Sequence, residues 1–272
     1  MTDGPDMLGH DGEARRIEAA AMDPERLLEA ALSHSVIPSL VEKARGDAPR
    51  PSEEDRDTLL RRVLRGDREG ALSIGRRCIL AGIRPMSIHE HLVAPVARSL
   101  GRAWEADDCD FVTVTCAAQI LEEIVREIGQ VAPALPQAGG RQTRAILLAA
   151  APGEQHALGL AVLRDAFERA GWTVCVSLGT SATGLMAQVA GRPVDVLGLS
   201  VGADRNLSAL PALITEVRKV SRNPAISVML GGSAILRRPE TGVRVGADAI
   251  AIDAETALDE ASRVVSDAQA RT

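Results

Sequence analysis

A histidine with the surroundings of a metal ligand lies in the segment Pro152-Gly153-Glu154-Gln155-His156-Ala157-Leu158-Gly159. The apolar run 145–151 directly precedes it, so the pattern predicts a strand that ends in a loop holding His156. A metal binds a neutral imidazole nitrogen, and Glu154 could accept the other ring N–H, which fixes the tautomer and raises ligand basicity. Gly159 would let the following helix approach a large ligand closely. An ordinary loop histidine is the alternative interpretation of this segment alone.

Two further segments bring small or polar residues to the ends of predicted strands. The third predicted strand ends in Ser200-Val201-Gly202, and the fourth ends in Gly231-Gly232-Ser233. Bare glycine backbone allows close contact with a flat or polar group. Each glycine alone is ordinary turn chemistry. Together with the loop of His156 they predict a ligand site.

The second half of the sequence alternates between strand and helix patterns. The predicted strands are 143–151, 172–178, 193–201, 226–231 and 248–252, and the predicted helices are 157–170, 182–190, 204–221 and 235–243. This alternation predicts a flavodoxin-like, doubly wound, five-stranded parallel sheet. Ligands of such sheets bind at the carboxyl ends of the strands, where the loop of His156 falls.

Before this region the sequence has helical patterns. Amphipathic helices are predicted at 53–65, 67–81, 85–103 and 110–129, and their short connections predict a four-helix bundle. We therefore expect an α/β protein in which an N-terminal helical cap precedes the sheet. The expected parts are a flexible tail at 1–24, an N-terminal helix and linker at 25–52, the cap at 53–132, a linker at 133–142 and the sheet domain at 143–272.

Aromatic residues are rare, with two Trp, two Phe and no Tyr. Trp104 lies at the end of the third cap helix and Phe111 at the start of the fourth, and we assign both to the ligand site, with packing in the bundle core as the alternative. His89 and His91 lie on that helix with one residue between them, so helical spacing directs them to different faces. At most one of them could reach a ligand, and we expect surface positions for both.

The charge of the chain argues against direct DNA binding. The formal net charge is −6, and the one notable arginine cluster, at 61–68, is interleaved with carboxylates. DNA binding usually requires a basic surface that replaces phosphate counterions. The sequence also shows no membrane-spanning run, no secretory signal and no paired-cysteine motif. We therefore expect a cytoplasmic protein with reduced thiols.

Residues 143–260 resemble the cobalamin-binding domain in which a protein histidine replaces dimethylbenzimidazole as the lower ligand of cobalt. The family pattern is D-x-H-x-x-G, then S-x-L, then G-G, and the matching residues here are Glu154, His156, Gly159, Ser200, Gly231 and Gly232, with Gly202 at the position of the family's Leu. Residues 53–131 resemble the helical cap of these proteins, whose L-G-x-x-W segment is similar to residues 100–104. The resemblance implies cobalamin as the cofactor, His156 as the cobalt ligand and a cap over the corrin.

Within this superfamily, segments 104–115 and 152–156 resemble the AerR/PpaA group of photosynthesis gene regulators. In the light-responsive repressors of the superfamily an upper histidine ligand lies eleven residues after the cap Trp, and Thr115 stands there in this chain. The resemblance implies an antirepressor, not an enzyme, that binds cobalamin and engages a DNA-binding repressor of the CrtJ/PpsR type in response to light or oxygen. A corrinoid carrier for a separate methyltransferase and a haem-binding sensor are the alternatives.

Overall fold

The computed structural model describes residues 49–131, 144–154 and 157–270. The expected tail at 1–24, most of the expected segment 25–52 and the linker at 133–142 lie outside these ranges, as do Gln155 and His156. From Arg50 onward the chain forms one compact unit that contains both the cap and the sheet. No described helix is both long and apolar enough to cross a membrane.

The cap contains the predicted helical segments, with one interruption. Its α-helices are α1 (Glu53–Leu64), α2 (Arg68–Leu80), α3 (Pro85–Ile88), α4 (Ala94–Glu105) and α5 (Phe111–Val131). A capping box fixes the start of α1, because Ser52 and Asp55 each accept a hydrogen bond from the other's backbone N–H. The predicted cap of the last helix is also present, since Asp110 accepts a 2.7 Å hydrogen bond from the N–H of Thr113.

The predicted third cap helix, 85–103, is not one continuous α-helix, which corrects the sequence-based prediction. A π-helical turn at His89–Val93 separates α3 from α4. Pro95 accounts for the interruption, because proline has no N–H to donate four residues back and its ring collides with the carbonyl there. The N–H of Ala94 donates instead to the carbonyl of His89, five residues back. Single π-helical turns of this kind are frequent at functional sites.

The sheet consists of five parallel strands in the order β2-β1-β3-β4-β5. The strands are β1 (Ala145–Ala150), β2 (Thr173–Ser177), β3 (Val196–Ser200), β4 (Ser227–Gly231) and β5 (Ala249–Ile250). This order is that of flavodoxin-like folds, so the predicted fold class is confirmed. The strand order reverses between β1 and β3, which is where such sheets bind their ligands.

Helices cover both faces of this sheet. They are α6 (Leu158–Arg169), α7 (Ala182–Gly191), α8 (Leu210–Val220), α9 (Ser233–Arg237), α10 (Pro239–Arg244) and α11 (Ala254–Ala270). The predicted helix 204–221 starts as a 3₁₀ turn ahead of Pro211, and Pro239 divides the predicted helix 235–243. The last helix, α11, was missing from the sequence-based prediction.

Helix α6 connects the two halves of the molecule. Its buried residues Leu160 and Phe167 pack with β1 and α11 on one face of the sheet. Leu158, Ala161 and Val162 pack against the buried core of the cap instead. This three-and-four spacing places two apolar stripes on one helix. Because α6 begins just after the loop of His156, the same helix joins that loop, the sheet and the cap.

Candidate functional site

The ends of the central strands form one row at the carboxyl edge of the sheet. In the strand register Ser200 stands beside Ala150 on one side and beside Gly231 on the other. The loop of His156 leaves this edge after β1 and reaches α6 at Leu158. The sequence-predicted residues Ser200 and Gly231 are therefore neighbours at the edge from which that loop starts.

A cavity of about 530 Å³ opens between this edge and the cap. Ligand pockets have volumes of roughly 300–1,000 Å³, so the cavity is large enough to hold part of a sizeable cofactor. The cap, the first turns of α6 and the ends of β3 and β4 supply most of the cavity wall. The lining residues include His89, His91, Ala94 and Ala97 of the cap, Leu158, Gly159 and Val162 of α6, and Ser200, Gly231 and Gly232 at the strand ends.

The floor of the cavity continues below the edge along β3 and β4. Gly198 and Met229 are register partners two residues before Ser200 and Gly231, and all four line the cavity. At about 3.3 Å per residue the floor extends roughly 7 Å down the sheet. A Cβ on Gly198 would lie 2.9 Å from the Leu148 side chain, so a larger residue would force this floor to rearrange.

Gly232 closes the end of the floor at a position that requires glycine. Its φ is +93°, and a Cβ there would lie 2.5 Å from the carbonyl oxygen of Val201. Residues with a Cβ rarely adopt this backbone conformation. The Gly231-Gly232 pair therefore keeps the backbone flat against β3 and leaves the cavity open above it.

Glu154 is buried, with 3% of its surface exposed, and its carboxylate binds the loop after β3. Its two oxygens accept hydrogen bonds from the N–H of Gly202 at 2.7 Å, the N–H of Ala203 at 3.0 Å and the side-chain amide of Asn206 at 2.5 Å. A carboxylate has about four acceptor positions, so three of them serve this loop. The predicted bond from Glu154 to the ring of His156 stays a prediction, since His156 lies outside the described residues.

The hydrogen bonds of Glu154 brace the loop after β1 against the loop after β3. Gly202 is the central residue of this brace and does not line the cavity. Its N–H donates to Glu154, and its carbonyl accepts a 2.9 Å hydrogen bond from the hydroxyl of Ser233. The loops after β1, β3 and β4 are thus tied together through one residue. Its predicted contact with the cofactor stays a prediction.

His89 lies in the core of the molecule, which corrects the expectation of a surface position. Only 1% of its surface is exposed, and its Nε2 lies 2.8 Å from a carboxylate oxygen of Asp165 on α6. The other ring nitrogen, Nδ1, is buried and has no hydrogen-bond partner in the described part of the chain. His91 also belongs to the cavity wall, but its charged neighbours differ from that of His89. Burial, together with the charges of Arg50 and Arg56, lowers the pKa of His91.

Trp104 and Phe111 lie near the connection between α4 and α5, away from the cavity wall. Their rings form an edge-to-face pair with centroids 6.1 Å apart. Trp104 is 46% exposed and Phe111 is 69% exposed, so neither is a core residue of the bundle. Their assignment to the cofactor stays a prediction, because the structure brings them together with each other but not with the cavity.

The described residues fit a corrinoid. A glycine floor offers bare backbone to a flat ring or its nucleotide tail, and Ala94 and Ala97 keep the cap side of the cavity wide. The loop that carries the predicted cobalt ligand starts beside Ser200 at the strand ends and reaches the cavity wall at Leu158.

Two comparisons with protein families decide the assignment. A family model described as B12 binding domain matches residues 144–262, and a second model of the same description matches residues 55–128. The chain belongs to the B12-binding proteins. Cobalamin is therefore its cofactor, as the sequence resemblance implied, and the two matches coincide with the sheet domain and the cap.

Two known proteins extend this assignment. An uncharacterized 20.5 kDa protein of Rhodobacter capsulatus, from the bchF-crtJ intergenic region, is 26% identical over 174 residues, which cover 64% of this chain and 90% of that protein. This relative supports the resemblance to AerR-like proteins. The monomethylamine corrinoid protein of Methanosarcina barkeri covers 79% of this chain and 99% of its own, with a TM-score of 0.64 and 14% identity. That likeness shows a shared fold only.

Sequence reasoning missed the His89–Asp165 pair, although signals for it exist. Pro95 marks the place where the cap helix must deviate from α geometry. Asp165 also continues the stripe of Leu158, Ala161 and Val162 by three- and four-residue steps, so it had to face the cap once α6 did. Only the knowledge that α6 packs between cap and sheet would have joined these two signals.

Proposed function

We propose that this chain is a cobalamin-dependent antirepressor of photosynthesis genes, acting through a DNA-binding repressor of the CrtJ/PpsR type. The observation that carries the proposal is the relative from the bchF-crtJ region, of which this chain covers 90%, combined with the B12-binding domains. Neither the relative nor this chain needs an added catalytic domain for such a role. We infer that the chain is not an enzyme.

The cavity residues give each part of this role a physical basis. His156 would ligate the cobalt, while Gly159, Ser200 and the Gly231-Gly232 pair would hold the corrin and its tail. Bound cobalamin would supply a cobalt centre that responds to light or to redox conditions. The protein's part is to convert that response into a change in the cap, which shares α6 with the cofactor loop.

An exposed apolar patch on the cap is the proposed contact for the repressor. It consists of Trp104, Phe111 and Val112, all of which are solvent-exposed near the start of α5. Large exposed aromatic side chains are frequent hot spots of protein interfaces. The net charge of −6 favours action through a protein over direct binding to DNA.

A band-shift titration tests this proposal. Labelled promoter DNA is saturated with the repressor, and the chain is added without cofactor or loaded with hydroxocobalamin. We expect the loaded chain to release the DNA at lower concentrations than the unloaded chain, and the chain alone to cause no shift. Sequence-specific binding by the chain alone would overturn the antirepressor role, as would a repressor–DNA complex that ignores both forms.

A matched pair of variants tests the contact surface in the same assay. Phe111→Ala should reduce the release of DNA, because it removes an exposed ring from the patch. Val131→Ala is the control, since Val131 is exposed at the other end of α5, about 30 Å away along a 21-residue helix. Equal effects of the two variants would place the repressor contact elsewhere on the chain.

A further inference from the structure

Arg98 is a solvent-exposed residue of α4 that belongs to the wall of the cofactor cavity. It lies one helical turn after Ala94, which lines the same wall, so both residues are on one face of the helix. Among the described residues that line the cavity, Arg98 is the one arginine or lysine. Its guanidinium forms no hydrogen bond and no ion pair with the described part of the chain. The donors of this side chain are therefore available to a ligand.

The other charged groups of the cavity wall are carboxylates. They belong to Glu90, Asp253 and Glu255, and none of them forms an ion pair with Arg98 within the described ranges. The carboxylate of Asp253 instead accepts two hydrogen bonds from Thr256, both of 2.8 Å, at the start of α11. A guanidinium in a wall that otherwise carries negative charge is electrostatically favoured on the cavity side.

A second opening, of about 350 Å³, lies on the other side of Arg98 between α1 and α4. Its two carboxylates are Glu53, which pairs with Arg56 at 2.8 Å, and Asp57, which forms no ion pair with Arg98. Arg102 also lines this opening, one turn further along α4. Like charges four residues apart on a helix repel each other, so Arg102 disfavours a position of the Arg98 guanidinium toward its own side.

A cofactor that fills the cavity removes water from the Arg98 guanidinium. A charged group that loses water must gain hydrogen-bond partners, because burial without them is strongly unfavourable. Arginine stays protonated and presents five N–H donors in a planar fork. The corrin ring of cobalamin carries amide side chains around its rim, and their carbonyl oxygens are acceptors. The cap therefore offers donors to a cofactor that brings acceptors.

We propose that Arg98 binds the corrin from the cap side by donating hydrogen bonds to amide carbonyl oxygens on the rim of the ring. The inference rests on cobalamin binding and is independent of the antirepressor role. It adds a cap residue that the sequence analysis did not single out. Because α4 also carries Trp104 of the exposed patch, a cofactor held by Arg98 would fix the helix that presents this patch.

Arg98→Ala tests the contact, and Arg102→Ala is the matched control. Both residues are exposed arginines of α4, four positions apart, and only Arg98 lines the cofactor cavity. Alanine is the best helix former, so neither substitution should disturb the fold. We expect Arg98→Ala to raise the Kd for hydroxocobalamin about tenfold, equivalent to about 1.4 kcal/mol, and Arg102→Ala to leave it within about twofold.

Absorbance titrations of the two variants and the wild type give the comparison, and the wild type is the reference for cobalamin binding itself. An unchanged or lower Kd in Arg98→Ala would overturn the proposal. An equal rise in both variants would also overturn it, because the general positive charge of α4, and not a contact in the cavity, would then govern affinity.

Diaquocobinamide identifies the acceptor on the cofactor. It has the corrin ring with its rim amides but lacks the nucleotide tail and the phosphate of that tail. We expect Arg98→Ala to weaken the binding of diaquocobinamide by about the same factor as that of hydroxocobalamin. A loss that occurs with hydroxocobalamin alone would contradict the rim contact, because the phosphate of the tail would then be the acceptor.

Discussion

The carboxylate of Glu154 accepts a 2.7 Å hydrogen bond from the backbone N–H of Gly202. This bond joins the loop after β1, which carries His156, to the loop after β3. Because Gly202 also accepts a bond from Ser233 after β4, the brace extends across the central strand ends. Glu154, two positions before the predicted cobalt ligand, therefore connects these three loops even before a cofactor binds.

Glu154→Gln should lower the stability of the cofactor-free protein. The carboxylate accepts three hydrogen bonds, whereas a glutamine amide would turn its own NH₂ donor toward at least one of the same donors. A buried donor left without its acceptor costs about 1–3 kcal/mol. Urea unfolding of the cofactor-free protein measures the change. An unaltered unfolding curve combined with weaker cobalamin binding would assign Glu154 to His156 alone.

Gly159→Ala should raise the stability of the fold and weaken the binding of cobalamin. A Cβ at Gly159 has no atom within 4 Å, and the residue lies in the first turn of α6. Alanine in place of glycine stabilises a helix by up to about 1 kcal/mol. If the corrin lies against this glycine, the same methyl group should weaken cobalamin binding. Thermal unfolding and absorbance titration together test this, and unchanged affinity would remove Gly159 from the predicted site.

Asp165→Asn should weaken the junction between the cap and α6. The side chain is mostly buried, and it accepts hydrogen bonds from His89 and from the Arg169 guanidinium. Hydrogen bonds to charged groups contribute about 1.5–3 kcal/mol, so we expect a loss of about 2 kcal/mol in the free energy of unfolding near neutral pH. Glu168→Gln is the control, because Glu168 forms a solvent-exposed pair with Arg164 on the same helix and such pairs contribute little.

The effect of Asp165→Asn should also depend on pH. The pKa of Asp165 is lowered in the folded protein, so its ionised form stabilises the fold above the ordinary pKa of 3.8. That contribution disappears as the pH falls through the lowered pKa and the carboxyl is protonated in both states. The difference in stability between wild type and variant should therefore shrink as the pH falls below the ordinary pKa of 3.8 and through the lowered one. A difference that persists unchanged at pH 2 would mean that ionisation of Asp165 is not its source.

The sheet domain was largely predictable because its signals are local. Apolar strands bounded by glycines and separated by amphipathic helices specify a parallel sheet, and the carboxyl edge of that sheet fixes where Ser200 and Gly231 must lie. The resemblance to the cobalamin-binding family identified the other predicted residues at this edge. Glu154 follows the first strand, as the sequence predicted, but its partners on the β3 loop depend on a register that the sequence does not state.

The cap side of the cavity was not predictable in the same way. The expected surface position of His89 came from helical periodicity, which the π-helical turn before Pro95 interrupts. The burial of His89 depends on the packing of α6 between cap and sheet, a tertiary contact between residues 76 positions apart. Trp104 and Phe111 stood out because aromatic residues are rare here, but rarity does not determine position.

The most direct test of the account is the affinity of the repressor for this chain with and without cobalamin. Calorimetric titration of the repressor into the hydroxocobalamin-loaded chain, the unloaded chain and His156→Ala mixed with the same cobalamin gives three dissociation constants. We expect the loaded wild type to bind at least tenfold more tightly than the other two, within the range usual for coupling between two sites. Equal affinities for all three would contradict the claim that cobalamin held by His156 controls the complex.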